Sequence, residues 1–172
     1  MEQQKLEDWP YLPVLLLAAI SGAYVAGNDA GHAYNTFPKM GDVWIPDDIF
    51  SKEPLVCNFF ENTSLVQLNH RILAMTTLSA IGALWFASRR IEMHPAHPAV
   101  QSLIGSTLGM AALQVGLLTL LMYVPTSASA HQAGALTLPS LMLLLVHTVR
   151  KPSPALLKSL ASVSKPSTVK VL

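Results

Sequence analysis

Four long apolar stretches constrain the fold of this 172-residue chain more than any other feature. They run over about residues 11–31, 64–88, 99–124 and 127–149, and each approaches the ~20 residues that a helix needs to cross ~30 Å of hydrocarbon. Hydrophobic residues make up 51% of the chain and charged residues only 12%, as in membrane proteins. We therefore predict an all-α, polytopic membrane protein built as a four-helix transmembrane bundle.

The bundle is expected to occupy residues 11–150, between an N-terminal segment at 1–10 and a basic tail at 151–172 that contains serine and proline. The only long connection, residues 32–62, joins the first two spans and mixes prolines and acids with aromatic residues such as Trp44. Loops of this length are usually functional or disordered. We expect a partly helical surface loop that caps one end of the bundle, with a solvated linker as the alternative.

The charge distribution bears on partners and orientation. A net charge of +1 offers no basic face for phosphates, so nucleic acid is not an expected partner. Most positive residues fall on the side that holds both termini: Lys5, Arg89, Arg90, Arg150, Lys151, Lys158, Lys165 and Lys170. The positive-inside rule therefore places the termini in the cytoplasm or the mitochondrial matrix.

Two histidines lie near the beginnings of the second and fourth spans. A helix rises 1.5 Å per residue, so His70 lies about 10 Å below Thr63 and His131 about 8 Å below Thr126. Because both spans enter the membrane from the same face, the two imidazoles reach a similar depth. Helical bundles build cofactor sites from side chains on facing helices, so this pair is a candidate for bis-histidine ligation of a haem.

Other uses of the histidine pair remain open at this stage. Each imidazole could simply be buried with a hydrogen bond to a neighbouring helix, or the pair could relay protons. Zinc is disfavoured because no cysteine or carboxylate lies at that level to complete a tetrahedral site. Polar residues that could orient the rings are Gln67 or Asn69 for His70, and Gln132 for His131.

Arg71 directly follows the first of these histidines inside an apolar segment. A charge there costs ~2.5 to 3.5 kcal/mol on insertion scales, so the guanidinium needs a partner or a route to the interface. A haem propionate would suit it because arginine binds carboxylates through two parallel hydrogen bonds. Snorkelling to the interface and pairing with Asp29 are the alternatives.

The remaining candidate ligands are better explained without a metal. Methionines in apolar helices are usually packing residues, and the other histidines are not level with the central pair. These residues are Met75, Met110, Met122, His32, His94, His97 and His147.

Three segments of the chain resemble the haem A synthase family, specifically the C-terminal half of its members. The stretch GAYVAGNDAGHAYNTFPKMGDVWIPDDIF is similar to the end of that half's first helix and its following loop. The stretches ENTSLVQLNHRILA and LMYVPTSASAHQAGAL are similar to its two histidine-bearing segments. The resemblance covers roughly residues 13–150.

The resemblance implies an oxidoreductase that converts haem O to haem A by oxidising a methyl group to a formyl group, with oxygen and an external electron donor. Family members have eight helices in two similar halves. The histidine pair of the C-terminal half is understood to hold haem b, which corresponds to His70 and His131 here. The other half is expected to bind the substrate haem and to provide a glutamate implicated in catalysis, so the catalytic residues remain unassigned in this chain.

Two functions from different classes therefore follow from the sequence. The first is the haem b-binding half of a haem A synthase in the mitochondrial inner membrane, serving cytochrome c oxidase, with termini in the matrix. The motifs favour this membrane over the bacterial plasma membrane. The second is a noncatalytic haem-binding or assembly protein that associates with a full-length synthase, or with copies of itself, through small-residue helix faces.

Overall fold

A computed structural model of the chain describes residues 11–90, 97–121 and 127–149, and all regular structure in this part is helical. The helices are α1 (Tyr11–Gly27), α2 (Asn58–Glu61), α3 (Thr63–Ser88), α4 (His97–Leu121) and α5 (Ser127–Val149). Short 3-10 turns at Ala30–His32 and Leu55–Cys57 lie in the long connection. The predicted all-α fold, including a partly helical connection after the first span, is confirmed. The predicted N-terminal segment and basic tail lie outside the described residues.

The four long helices form a closed ring. Helix α1 packs against α3, α3 against α4, and α4 against α5, and α1 also meets α5. Helices α3 and α5 therefore occupy diagonal positions. Side chains that project inward from these two helices face each other across the centre of the bundle.

The apolar core fills one half of the bundle. It consists of Leu15, Ile81, Leu84, Val100, Ile104, Ala111, Leu138, Met142 and Leu145. Most of these residues belong to the start of α1, the end of α3, the start of α4 and the second half of α5, which come together at one end of the antiparallel bundle. The opposite half, where α3 and α5 begin, is left for polar side chains.

The outer surface of the helices is apolar, as lipid requires. Helices α3, α4 and α5 are each long and apolar enough to cross a membrane, and α1 adds a shorter apolar helix. Large aliphatic side chains point outward, and Leu136 is 74% exposed. Inside a bilayer, every backbone N–H and C=O group must form its hydrogen bond within the protein. Apolar helices of this length meet that requirement and are suited to span the membrane. The chain is therefore a multi-pass membrane protein.

Helix α1 ends at Gly27, earlier than the sequence pattern predicts. Asp29 adopts a left-handed conformation with φ of 49°, which a right-handed helix cannot include. The side-chain amide of Asn28 donates hydrogen bonds to the carbonyl oxygens of Tyr24 at 2.9 Å and of Phe60 at 2.8 Å. The polar Asn28 and Asp29 interrupt the apolar stretch here, and local hydrogen bonding turns the chain into the connection.

The beginning of α3 is fixed by Asn62. Its backbone is extended and its side-chain oxygen accepts a hydrogen bond from the amide of Leu65 at 3.0 Å, so it is the N-cap residue. Its amide nitrogen donates to the carbonyl oxygen of Asp48 at 2.7 Å and to the hydroxyl of Ser51 at 3.1 Å. Asn62 thus starts the helix and holds the connection at the same time.

Asn62 belongs to a row of buried polar side chains that we call the polar ladder: Asn58, Asn62, Ser64, Gln67 and Arg71. The ladder ties the connecting loop, residues 28–57, to the first turns of α3. The Asn58 side chain exchanges two hydrogen bonds with the backbone of Lys52, at 2.7 and 2.9 Å. Ser64 donates to the carboxylate of Asp48 at 2.7 Å.

We predict that Asn62→Ala lowers the free energy of unfolding by about 2 kcal/mol, because it removes a helix cap and leaves buried groups of the loop without partners. Denaturant unfolding in detergent micelles, followed by circular dichroism, measures the change. The exposed Asn35 provides the matched control, and Asn35→Ala is expected to stay within about 0.5 kcal/mol of the original chain. Equal effects of the two substitutions would contradict the role of Asn62.

Candidate functional site

The structure brings His70 and His131 together in the polar half of the bundle. His70 lies in the second turn of α3 and His131 in the second turn of α5, and each is half-buried. Their ring centroids are 6.4 Å apart and the ring planes are nearly perpendicular, at 85°. Two imidazoles from diagonal helices therefore face the same central space.

Helix α1 supports the ring of His70 through two neighbouring residues. The hydroxyl oxygen of Ser21 lies 2.9 Å from Nδ1 of His70. The same hydroxyl donates a hydrogen bond to the carbonyl oxygen of Ala18 at 2.7 Å. Beside it, Gly22 lies so close that an added Cβ would sit 3.0 Å from Cε1 of the ring. The absence of a side chain at Gly22 is what allows the helix to approach the imidazole.

Helix α4 contributes Gln114 beside the other histidine. Gln114 is only 8% exposed, and its amide lies against Gly134, one turn beyond His131 on α5. A Cβ at Gly134 would overlap the amide of Gln114, so the glycine makes room for it. Among the buried polar atoms of the described residues that lack a hydrogen-bond partner are Nδ1 of His131 and Oε1 of Gln114. Buried polar atoms without a partner are uncommon and often mark functional positions.

Arg71 lies next to His70 in the sequence but is engaged with the connecting loop. Its Nη1 donates to the carbonyl oxygen of Lys39 at 3.0 Å and its Nη2 to that of Tyr34 at 2.9 Å. Gln67 donates to the same Tyr34 oxygen at 3.1 Å. Arg71 is 7% exposed, and its buried Nε has no partner. The structure therefore places the guanidinium inside the polar ladder, with the N–H of its buried Nε still without a partner.

The partners of the histidine rings differ from those suggested by the sequence. Of the two residues that could orient His70, Gln67 or Asn69, the amide of Gln67 turns toward the loop instead. Gln132 is exposed. The polar neighbours come from other helices instead, Ser21 from α1 and Gln114 from α4. Both are isolated polar residues within apolar helices, which is the one sequence signal that could have found them.

The other candidate ligands lie away from the histidine pair or outside the described residues. His32 and His147 are exposed. Met75 is exposed on α3, and Met110 packs against the apolar core. His94 and Met122 lie outside the described residues, as does the side chain of His97.

A protein-family model described as COX15-CtaA, cytochrome oxidase assembly protein, matches residues 8–144, which is most of the chain. The chain belongs to the haem A synthase family of COX15 and CtaA. Its histidine pair and its polar ladder both fall inside the matched region.

Individual members of this family are similar over most of the chain. The heme A synthase COX15 of Arabidopsis thaliana is 65% identical over 160 residues, covering 90% of this chain and 34% of the relative. Human heme A synthase COX15 is 45% identical over 139 residues, covering 80% and 34%, respectively. Heme A synthase of Nitrosospira multiformis is 40% identical over 141 residues, covering 80% and 39%.

The chain thus spans about one third of the length of the curated haem A synthases it matches. No solved structure matches it.

We predict that Arg71→Met releases the loop around Tyr34 and Lys39, because two hydrogen bonds from a charged donor are lost. Amide hydrogen exchange in residues 34–40 is expected to accelerate about tenfold or more, since each such bond contributes about 1.5–3 kcal/mol. Exchange monitored by mass spectrometry in micelles measures this directly.

Arg89→Met is the matched control for that experiment. The guanidinium of Arg89 lies 4.7 Å from the ring centroid of Trp85, at the other end of α3. Its removal is expected to leave exchange in residues 34–40 unchanged. Unchanged exchange in Arg71→Met as well would show that the loop is held by the rest of the ladder.

Proposed function

We propose that the chain is the C-terminal, haem b-binding part of a haem A synthase, with His70 and His131 as the axial ligands of the haem iron. The observation that carries the proposal is the position of the two rings: they project from diagonal helices into one space, with centroids 6.4 Å apart. Haem iron is commonly held by histidine, and bundles place such ligands on facing helices.

The ring separation fits the proposed ligand pair. Imidazole nitrogens bind transition metals at about 2.0–2.1 Å. Two rings whose centroids lie 6.4 Å apart are near enough to hold one iron between them. The fit supports a site for one iron held between two histidines.

The donor set favours haem over a mononuclear zinc site. Within residues 11–90, 97–121 and 127–149, no three histidine, cysteine or carboxylate side chains gather at one place. Structural zinc sites take four such protein ligands, and catalytic sites take three. A haem needs only two ligands from the protein because the porphyrin supplies the other four. A pair of imidazoles alone is therefore consistent with haem.

Arg71 is proposed to bind a haem propionate through its buried Nε–H, which the loop leaves without a partner. Its Nη atoms hold the carbonyl oxygens of Lys39 and Tyr34, whereas the buried Nε has no partner. A carboxylate would satisfy that donor and balance the positive charge. In this arrangement Arg71 joins the connecting loop to the cofactor.

A haem bound here would supply one-electron transfer within the membrane. The residues of this chain would hold that haem, orient its ligands and exclude lipid from one end of the bundle. Haem O is the proposed substrate of the whole synthase, with oxygen and an external electron donor as co-reactants and haem A for cytochrome c oxidase as the product. The catalytic residues are not assigned to this chain.

The proposed location is the mitochondrial inner membrane, with both termini in the matrix. Two observations support it: the similarity to COX15 proteins of plants and animals, and the concentration of positive residues on the side of the termini. Membrane lipid is the surrounding partner in either orientation.

We predict that the chain, expressed in membranes and supplied with haem, gives a low-spin bis-histidine absorption spectrum that His70→Ala and His131→Ala each abolish. Reduced-minus-oxidised difference spectra measure it. His32→Ala and His147→Ala remove exposed histidines and are expected to keep the signal. A bis-histidine spectrum that survives in both central variants would refute the proposal.

An assay of haem A formation distinguishes the two candidate functions, a haem A synthase and a noncatalytic haem-binding partner. Purified chain is given haem O, oxygen and a reductant, and haem A is assayed by its formyl-shifted absorption. Formation of haem A identifies a competent synthase. A chain that binds haem through both histidines and forms no haem A supports the noncatalytic partner of a full-length synthase. A chain that binds no haem leaves two readings of the histidines, a proton relay and simple burial with a hydrogen bond to a neighbouring helix.

We predict that Gly22→Ala weakens haem binding about tenfold, because its methyl group would press on the His70 ring that Ser21 holds in place. Titration of the purified chain with haem measures the dissociation constant. Gly27→Ala is the matched control on the same helix, where an added Cβ meets nothing within 4 Å. Similar losses in both variants would point to a general effect on α1 instead.

A further inference from the structure

Ser21 makes two contacts whose combination fixes the position of a proton. Its hydroxyl oxygen lies 2.7 Å from the carbonyl oxygen of Ala18 and 2.9 Å from Nδ1 of His70. A serine hydroxyl has one hydrogen to donate and two lone pairs that accept. Ser21 can therefore donate in only one of the two contacts. The proton in the other contact must come from the imidazole of His70.

The carbonyl oxygen of Ala18 has no hydrogen, so a 2.7 Å contact between two oxygens requires the hydroxyl proton of Ser21. The contact with Nδ1 of His70 must then be made by a proton on the imidazole. Both distances lie within hydrogen-bond range, so both contacts can be made at once in this arrangement. Ser21 is thus an acceptor toward His70.

We infer that Ser21 is a positioning residue that holds His70 as the Nδ1–H tautomer, which leaves the lone pair of Nε2 free to bind iron. In a neutral imidazole, protonation of one nitrogen leaves the other as the only ligand atom, and the partner of the first decides which it is. The hydroxyl also fixes the rotation of the ring. The tautomer follows from the contacts themselves, whereas its use for iron rests on the proposed function.

His70 and His131 differ in this respect. Nδ1 of His70 is held by a hydroxyl on α1, while the buried Nδ1 of His131 has no partner. A ligand histidine that donates its second N–H is more basic and better oriented. The hydroxyl of Ser21 therefore anchors the ring of His70 to the helix that precedes it in the chain.

The tautomer can be read in the haem-free chain. Solution NMR of the full chain in micelles, with ¹⁵N-labelled histidine, distinguishes a protonated from an unprotonated ring nitrogen by chemical shift. We expect a protonated Nδ1 and an unprotonated Nε2 for His70, and a mixture of tautomers in Ser21→Ala. A protonated Nε2 in the original chain would overturn the inference. This result does not depend on haem binding.

The positioning role is tested by haem titration and redox potentiometry. Ser21→Ala is expected to raise the haem dissociation constant about 10- to 100-fold, the usual effect of losing such a partner. Its midpoint potential should rise, because a less basic imidazole stabilises ferric iron less. The bis-histidine spectrum of the haem that does bind should remain. Ser21→Thr keeps a hydroxyl that can bond the preceding turn and should restore both quantities.

Ser140→Ala is the matched control, since the Ser140 hydroxyl donates to the carbonyl of Leu136 at 2.9 Å on an exposed face of α5. It is expected to change neither affinity nor potential. Unchanged values in Ser21→Ala, or a Ser21→Thr variant as impaired as Ser21→Ala, would overturn the positioning role. Failure of the original chain to bind haem would instead refute the proposed function, and the NMR result would stand on its own.

Discussion

Polar groups buried within a membrane protein must find partners inside the protein, and this requirement organises one whole end of the bundle. Helix α3 begins with a row of side chains that cannot be left in lipid: Asn58 just before it, then Asn62, Ser64, Gln67 and Arg71. Their partners are mostly backbone carbonyls and side chains of the connecting loop. These hydrogen bonds from the beginning of α3 therefore hold the loop in its conformation, even though it contains little regular structure.

The same requirement separates the bundle into two ends with different tasks. At one end, aliphatic side chains such as Ile104, Met142 and Leu145 are almost completely buried and supply packing. At the other, glycine and serine let the helices approach while imidazoles and amides face the centre. Close approach through small residues is how helices associate where lipid provides no hydrophobic driving force. The apolar core and the histidine pair thus lie at opposite ends, so that the polar side chains around the histidines do not interrupt the packed core.

The sequence predicts the helices and the histidine pair well because both depend on periodicity and length. The rise per residue alone puts His70 and His131 at a common depth, and their rings do meet. The loop contacts of Arg71 were not predictable in this way, because every residue has a carbonyl and nothing in the pattern singles out Tyr34 and Lys39. Likewise, the contact of Ser21 with His70 depends on the rotation of α1 against α3, which composition does not encode.

The adjacency of His70 and Arg71 has a thermodynamic consequence. The guanidinium of Arg71 donates hydrogen bonds to the connecting loop, and the ring of the preceding residue, His70, contacts Ser21 on α1. Rotation of α3 about its own axis would move both groups together. If His70 binds haem as proposed, haem binding and ordering of the loop would be linked equilibria, and linkage is reciprocal: whatever stabilises one must, by an equal free energy, favour the other.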